Sequence, residues 1–318
     1  MNLTIAGVYG GVGGILGAAM AGGKILFIEE PRKEFHPDVF LKNKKYFKPK
    51  MVTHNVDSLF HTDFLEMITK KSRGIDVMIS SPPCKRFSNL ANRKKDRLDD
   101  VDRKTLEMTH VIDMIRNLKP KLAIIENLPK INDFIQIHGY EDNFRLIPEK
   151  IIYGLKYHIT QIQLRGNQFG ISQRRKRQFW ILSEYPFNYE PPTFDNPVIP
   201  CISIFEDVIN LPNHDFSQHS EIRVKGFDAL KTGESYYGTA NNTRIDMNKT
   251  GPVITSHRTQ HVHPWLPRTL TVRECARLMG YPDDFIFYGP KTQQLDQVGC
   301  GICPPIVKHI VESYFYGE

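Results

Sequence analysis

One cysteine of this chain follows two consecutive prolines after an apolar run. Pro82 and Pro83 precede Cys84, and the apolar run 75–79 lies just upstream. Two prolines in series fix the backbone φ angle and remove two N–H donors, so they predict a stiff loop at the end of a strand. A thiol on such a loop is well placed to act as a nucleophile. The alternative is an unreactive cysteine that packs as a small hydrophobic residue.

Basic side chains follow Cys84 at high density. Residues 85–104 include eight lysines and arginines against four aspartates. Positive surroundings favour the thiolate form of a cysteine. They also suit a substrate that carries many negative charges. We therefore expect Cys84 to be reactive and to lie beside a polyanion.

A glycine-rich segment follows the first predicted strand and precedes an apolar helix, predicted over 15–20. Such a turn lets a nucleotide-type cofactor approach a helix N-terminus, although any tight strand-to-helix turn would also use glycines. Acidic residues follow the next two predicted strands, where a carboxylate can accept hydrogen bonds from a ribose. A P-loop is not predicted, because no Lys-Ser or Lys-Thr pair follows the glycines. The candidate cofactor-binding residues are Tyr9, Gly11, Gly13, Gly14, Glu30 and Asp57.

A carboxylate ends the predicted strand 122–125. Glu126 would share a crevice with Cys84 if the two strands are neighbours in the sheet. A buried carboxyl group there would stay protonated and donate to a ring nitrogen, because burial disfavours the charged form. The alternative for Glu126 is a helix cap or a solvated strand end.

Residues 173–177 read Gln-Arg-Arg-Lys-Arg and precede a predicted strand. Side chains alternate between the two faces of an extended segment, so Gln173, Arg175 and Arg177 would share one side. Arg174 and Lys176 would point to the other. We predict that one side enters a site and the other contacts phosphates. The alternative is a charge run that is simply solvated.

Short apolar runs alternate with helical patterns in the first half of the chain. This alternation predicts an α/β fold with a mostly parallel sheet and ligands at the carboxyl ends of its strands. From residue 185 prolines and polar stretches replace this alternation, so we predict a separate small domain over 185–267. Thr271 then caps a predicted helix, with Glu274 three residues on. The predicted strands are 3–8, 25–28, a segment around residue 52, 75–79 and 122–125, and a helix is predicted over 106–118.

Composition narrows the function classes. The net charge of +7 is compatible with a nucleic-acid partner. Five cysteines with a single C-x-x-C pair, Cys300 and Cys303, predict no zinc site, and no metal is expected. No apolar run approaches the roughly 20 residues of a membrane-spanning helix, and the N-terminus does not read as a signal peptide. We therefore expect a cytoplasmic protein that does not bind membranes.

These motifs, in this order, resemble the cytosine-5 DNA methyltransferases. The resemblance covers nearly the whole chain outside 185–267, where that family carries a variable target-recognition domain. It implies a Rossmann-like, S-adenosylmethionine-dependent methyltransferase domain over 1–184, to which 268–318 returns, and a small irregular target-recognition domain over 185–267. The matching segments are residues 9–14, 82–88, 126–127, 173–177, 268–278, 297–299 and 304–305.

The resemblance also implies roles for individual residues. Cys84 would add to C6 of cytosine, Glu126 would hold the N3 and N4 edge of the base, and Arg175 would reach O2. The base would be flipped out of the duplex. Further residues implied are Pro82 and Cys300 for the cofactor S-adenosylmethionine, and Ser88, Arg93, Gln173 and Arg177 for double-stranded DNA.

The chain departs from the family pattern at the cofactor end. Gly7-Val8-Tyr9 stands where members usually have Asp-Leu-Phe, Pro31 and Arg32 follow the second-strand acid in place of an aromatic residue, and Cys300 replaces an asparagine. Two outcomes fit: an ordinary S-adenosylmethionine site with substitute contacts, which we favour, or a site altered toward a modified cofactor or weak binding.

Three other functions compete with DNA cytosine methylation. The tRNA-cytosine branch of the family shares the catalytic residues, but Phe87-Ser88 after the cysteine matches the DNA enzymes better. A catalytically silent DNA-binding member would not need Cys84, Glu126 and Arg175 together. A dehydrogenase could use the glycine loop but not the Pro-Pro-Cys loop. We expect a monomer from a prokaryotic or viral host cell, with a restriction endonuclease as a candidate partner.

Overall fold

A computed structural model gives the fold of the chain. Within the parts that it describes, no helix is long and apolar enough to cross a membrane. The structure describes residues 2–30, 32, 35–49, 51–53, 74–83, 101–129, 156–236, 242–255 and 261–317.

A seven-stranded sheet forms the centre of the described fold. The strands are β1 (Leu3–Val8), β2 (Gly23–Glu29), β3 (Met51–Thr53), β4 (Val77–Ser80), β5 (Leu122–Asn127), β6 (His158–Arg165) and β7 (Lys176–Ser183). Their order is β3-β2-β1-β4-β5-β7-β6. β1 to β5 pair in parallel, whereas β7 runs antiparallel to both β5 and β6. The predicted α/β fold with a mostly parallel sheet is confirmed.

Helices cover both faces of this sheet. They are α1 (Gly11–Met20), α2 (Asp38–Leu41), α3 (Val101–Leu118), α4 (Glu221–Asp228), α5 (Val272–Leu278), α6 (Lys291–Gly299) and α7 (Pro304–Tyr316), with short 3-10 turns at Gly166–Phe169 and Ile202–Phe205. α1 begins four residues before the predicted start. α3 ends before Pro120 as predicted, and Thr271 caps α5 in a capping box with Glu274.

Two hydrophobic clusters hold these layers together. On one face Ile5, Ile79 and Ile124 pack with Ile15 of α1 and Val307 of α7. On the other face, alternate strand residues pack against α3. The two clusters use successive residues of the same strands because side chains alternate across a strand.

α1 and α7 approach each other closely. A Cβ on Gly17 would lie 2.3 Å from the carbonyl oxygen of Pro304 and 2.8 Å from Cβ of Val307. A larger residue at position 17 would therefore push the C-terminal helix away from the sheet. This contact joins the last part of the chain to the first.

The region 185–267 adds a second, smaller sheet. Strands β8 (Ser235–Tyr236), β9 (Asn242–Arg244) and β10 (His261–Val262) follow helix α4. Its order is β10-β9-β8. The buried Arg244 donates to the carbonyl oxygens of Phe227, His263 and Pro264, so its side chain ties α4 to the turn after β10. The sequence pattern did not reveal α4, and the domain boundaries stay a prediction.

A buried ion pair lies at the start of α5. Arg268 donates to both carboxylate oxygens of Glu274, over 2.9 and 2.6 Å, and Nε2 of His263 lies 3.5 Å from the same carboxylate. Burial lowers the pKa of His263 to about 4, and the nearby Arg268 acts in the same direction. The imidazole is therefore neutral in the folded protein near neutral pH.

We expect His263 to make the protein less stable as the pH falls from about 6.5 toward 4. In this window the unfolded chain binds a proton that the folded chain does not, so folding loses up to about 1.4 kcal/mol per pH unit. Urea unfolding at pH 7.5 and 5.5 measures this loss. His263→Gln should show a weaker dependence than the wild type, by about 1 kcal/mol over the interval. The exposed His158 provides the control His158→Gln, which should behave as the wild type. An equal pH dependence of all three proteins would contradict the assignment.

Candidate active site

Glu126 lies buried at the carboxyl end of β5, and both of its carboxylate oxygens have partners. The side chain is 3% exposed. Oγ of Ser81 donates to Oε2 over 2.5 Å, and Nε of Arg177 lies 3.0 Å from Oε1. Both oxygens of Glu126 thus lie beside donor groups, Ser81 and Arg177, which the sequence did not reveal.

The sheet register explains why these side chains meet. β4 and β5 are parallel neighbours, with Ser80 opposite Ile125, so Ser81 and Glu126 leave the sheet at the same edge. On the other side of β5, Phe179 of β7 is opposite Glu126. Arg177 is two residues from Phe179 and so shares the face of Glu126.

Arg175 does not contact Glu126, although the resemblance implies that this arginine acts at the base. It precedes β7, and the residue is 3% exposed. Nη1 donates to the carbonyl oxygen of Ile254 over 2.8 Å, and Nη2 donates to those of Gly299 over 2.8 Å and Gly301 over 3.1 Å. Arg175 is a positioning residue that joins three distant segments, and Arg177 is the arginine beside Glu126.

Gln173 is fully buried, so its predicted contact with DNA is also corrected. Its Nε2 donates to the carbonyl oxygen of Leu278 over 2.9 Å, at the end of α5. The predicted alternation is confirmed, since Arg174 and Lys176 are exposed whereas Gln173 and Arg175 are buried. The buried side of this segment thus holds the fold together and ends, at Arg177, in the site.

The glycine-rich turn lies at the carboxyl end of β1, beside the end of β2. Tyr9 and Gly11 both have positive φ angles, of 52° and 61°. The N–H of Gly11 donates to Oε2 of Glu30 over 3.1 Å. A Cβ at Gly11 would project between Nη2 of Arg32, 3.5 Å away, and Cα of Gly301, 3.7 Å away. Glycine keeps this gap open.

Gly13 and Gly14 serve packing inside the protein. A Cβ on Gly13 would lie 2.0 Å from the carbonyl oxygen of Ile302, and one on Gly14 would lie 2.8 Å from Cγ2 of Ile79. The close approach of the C-terminal segment at Gly13, and of β4 and Ile302 at Gly14, thus explains their residue type without a cofactor contact. That approach brings Gly301 and its neighbour Cys300 next to the glycine turn.

Glu30 is fully buried after β2, where the sequence placed a cofactor acid. Its carboxylate is held by Arg32, with Nε 2.5 Å from Oε1 and Nη2 2.5 Å from Oε2. The sequence marked Arg32 only as a departure from the family pattern. Nothing in the spacing indicated that this side chain would return to Glu30.

A second carboxylate of β2 anchors α3. Nε2 of His110 lies 3.0 and 3.2 Å from the two oxygens of Glu29, and the His110 ring packs edge-on against Tyr9 at 6.2 Å between centroids. These contacts position the turn that holds Tyr9. His110 was not predicted as a site residue, although its position on the sheet-facing side of the predicted helix could have suggested it.

Of the remaining predicted site residues, some lie within the described part of the chain and others lie outside it. Pro82 is buried, and its carbonyl oxygen lies 3.5 Å from Nδ2 of Asn127. Cys300 is partly buried at the end of α6. No group of three metal-ligating side chains occurs among the described residues. The predicted residues outside the described part of the chain are Asp57, Cys84, Ser88 and Arg93.

The residues that are described fit the S-adenosylmethionine that the resemblance implies. The cofactor carries a ribose diol and an ammonium group, which donate hydrogen bonds. The buried carboxylate of Glu30 and the carbonyl oxygen of Tyr9 are acceptors at the edge of the gap beside Gly11. In open parallel sheets, ligands bind at this edge.

Comparison with known proteins identifies relatives over most of the chain. The family described as C-5 cytosine-specific DNA methylase matches residues 3–315. Type II methyltransferase M1.HphI of Haemophilus parahaemolyticus is 26% identical, with 98% of this chain and 87% of that protein covered. Type II methyltransferase M1.HgaI of Avibacterium volantium is 28% identical, with 76% of this chain and 79% of that protein covered.

Solved structures share the fold at lower identity. A protein described as a DNA modification methyltransferase encoded within an E. coli prophage has a TM-score of 0.79 and 22% identity, with 99% of both chains covered. The Dnmt2 methyltransferase of S. pombe has a TM-score of 0.64 and 14% identity, with 100% of this chain and 99% of that chain covered. Since the family match spans almost the whole chain, this protein belongs to the C-5 cytosine-specific DNA methylases.

Proposed function

We propose that this DNA cytosine methyltransferase, which uses S-adenosylmethionine, methylates C5 of a cytosine flipped out of a specific duplex sequence through a covalent bond to Cys84. The observation that carries the proposal is the buried cluster of Ser81, Glu126 and Arg177. Cys84 is only three residues from Ser81 in the sequence. The chain therefore needs only three residues to connect the proposed nucleophile to a carboxylate and a guanidinium that can hold a polar ring.

Cys84 supplies the nucleophile for a carbon that is otherwise unreactive. Its thiolate forms a bond to C6, and the electron pair of the C5–C6 double bond makes C5 nucleophilic. After methylation, loss of the C5 proton returns the electron pair to the ring. The double bond forms again, and the Cys84 thiolate leaves C6. No described residue is assigned as the base for the C5 proton, and we propose that the proton passes to solvent.

Glu126 and Arg177 complement the ring during this addition. Glu126 accepts a hydrogen bond from the N4 amino group and favours protonation of N3, while the guanidinium offsets the negative charge that develops on O2. Arg177 takes the role first assigned to Arg175, because its Nε is 3.0 Å from Glu126. Prepositioned charges of this kind lower the barrier without reorganising during the reaction.

The methyl donor would be held on the other side of Pro82, at the gap beside Gly11. Glu30 would accept hydrogen bonds from the ribose diol, and the carbonyl oxygen of Tyr9 would accept one from the ammonium group. Cys300 and Gly301 would form the opposite wall. S-adenosylmethionine supplies the methyl group in a form that a carbon nucleophile can attack.

DNA binding follows from the charge around these groups. The exposed Arg174 and Lys176, and Ser88 with Arg93 outside the described residues, would contact phosphates. The region 185–267 would read the sequence from the major groove. The type II names of the relatives support a restriction-modification setting, with a restriction endonuclease as a partner. We further propose a monomer in the cytoplasm.

A duplex with 5-fluorocytosine at the target should trap the protein covalently. Fluorine takes the place of the C5 proton and cannot be removed by a base, so the Cys84 thiolate cannot be eliminated. Adduct should form with S-adenosylmethionine present and be absent in Cys84→Ala, whereas Cys303→Ala should keep it because Cys303 is buried. Denaturing gel electrophoresis measures the adduct, with a fluorinated tRNA as the competing substrate. Trapping on tRNA alone, or on neither substrate, would contradict the proposal.

Replacing Glu126 by glutamine should slow the base chemistry. The amide keeps the shape but loses the negative charge, so kcat should fall about 100-fold or more, while duplex affinity changes less than about threefold. Single-turnover methylation and a DNA-binding titration separate the two quantities. Glu312→Gln, on the outer face of α7, is the matched control. A change of kcat below threefold in Glu126→Gln would refute the role.

Replacing Arg175 by lysine should affect the cofactor end instead. One ammonium group cannot hold carbonyl oxygens of both the 299–301 segment and residue 254 in their present geometry. We expect the KM for S-adenosylmethionine to rise about tenfold, equivalent to roughly 1.4 kcal/mol, with kcat little changed. Arg177→Lys should show the opposite split, with a low kcat and a normal KM. If Arg175→Lys lowers kcat alone, Arg175 acts on the base after all.

A further inference from the structure

Arg32 gathers hydrogen-bond acceptors from the ends of three strands. Its Nε and Nη2 lie 2.5 Å from the two oxygens of Glu30, after β2. Nη2 also donates to the carbonyl oxygen of Tyr9 over 3.0 Å, after β1. Nη1 lies 3.4 Å from the carbonyl oxygen of Ser81, after β4. The guanidinium further packs over the ring of Phe35 at 4.5 Å.

These acceptors are the ones that the methyl donor needs. A ribose diol requires the carboxylate of Glu30, and an ammonium group requires backbone carbonyl oxygens nearby. Arg32 presents N–H groups and a positive charge to the same atoms. The N–H groups of Arg32 therefore occupy acceptors that the hydroxyl and ammonium groups of the cofactor would use.

Arg32 and a ribose diol compete for Glu30 in this geometry. The guanidinium and the N–H of Gly11 together donate three hydrogen bonds to a carboxylate that has about four acceptor sites, and a diol donates two more. The pair also neutralises Glu30, which weakens its attraction for a cationic ligand. Since Arg32 is only 13% exposed, the pair is shielded from water and is not an incidental surface contact.

We infer that Arg32 is an affinity-determining residue of the methyl-donor site, which competes internally with S-adenosylmethionine for Glu30. The inference rests on the proposed cofactor site. Binding requires the guanidinium to leave the carboxylate, so the apparent Kd equals the intrinsic Kd divided by the fraction of molecules in which Arg32 has left Glu30.

Arg32→Met tests the competition, because methionine has a similar length and can still pack on Phe35 but has no donors. Isothermal titration with S-adenosylmethionine should give a Kd about five to ten times lower than for the wild type. The ligand-free variant should melt about 2–4 °C lower, because Glu30 loses its buried partner. The rise in Tm on adding S-adenosylmethionine should be larger. These opposite changes of ligand-free stability and affinity would not follow from a general loosening of the fold.

Two further variants complete the experiment. Arg32→Lys keeps the positive charge but loses the two-pronged guanidinium contact with Glu30. Its Kd for S-adenosylmethionine should lie between those of the wild type and Arg32→Met. It also serves if Arg32→Met does not fold. Arg116→Met, on the exposed surface of α3, should match the wild type.

Each outcome decides the inference. An unchanged or higher Kd in Arg32→Met or Arg32→Lys would overturn it and make Arg32 a direct contact of the cofactor or a structural residue. Failure of the wild type and the variants alike to bind S-adenosylmethionine would overturn the proposed site itself, and the inference with it. Binding by the wild type with equal affinity in all variants refutes only the competition.

Discussion

The carboxylate of Glu126 is buried, and the protein must supply its hydrogen-bond donors from other strands. Ser81 approaches from the end of β4 and Arg177 from β7. A buried charge that loses a partner costs several kcal/mol, so both neighbouring strands are held in one register with β5. The parallel pairing on one side and the antiparallel pairing on the other are thus requirements of the site as well as of the fold.

The base side and the cofactor side of the molecule share a common wall. Arg175 donates hydrogen bonds to the carbonyl oxygens of Gly299 and Gly301. Gly301 in turn packs against the glycine turn, since a Cβ added to Gly301 would lie 3.3 Å from the backbone nitrogen of Gly13. The strand that carries Arg177 is therefore linked through one side chain to the turn beside Glu30. In the proposed mechanism, this linkage would help to keep the methyl donor and the base in line.

Sequence patterns predicted the parts of this arrangement that depend on local chemistry. The first strands, the end of α3, the cap of α5 and the alternation over 173–177 follow from hydrophobic spacing, proline and capping preferences, and the structure confirms them. The choice between Arg175 and Arg177 depends on which residue of β7 lies opposite Glu126, and no local pattern encodes that register. The roles of Ser81 and Arg32 were not predicted for a similar reason. The contact of Ser81 with Glu126 joins two separate strands, and the contact of Arg32 with Glu30 requires the side chain to fold back toward β2.

The segment before β7 has a further consequence for how the family can vary. Gln173, Arg175 and Arg177 each hold a different part of the protein, at intervals of two residues along an extended chain. An insertion or deletion of one residue between them would turn every later side chain to the opposite face of the sheet. Substitutions at Arg174 and Lys176, which are exposed, leave these contacts intact. A change in the length of this segment would therefore disturb several internal contacts at once, whereas a substitution at Arg174 or Lys176 changes only its exposed face.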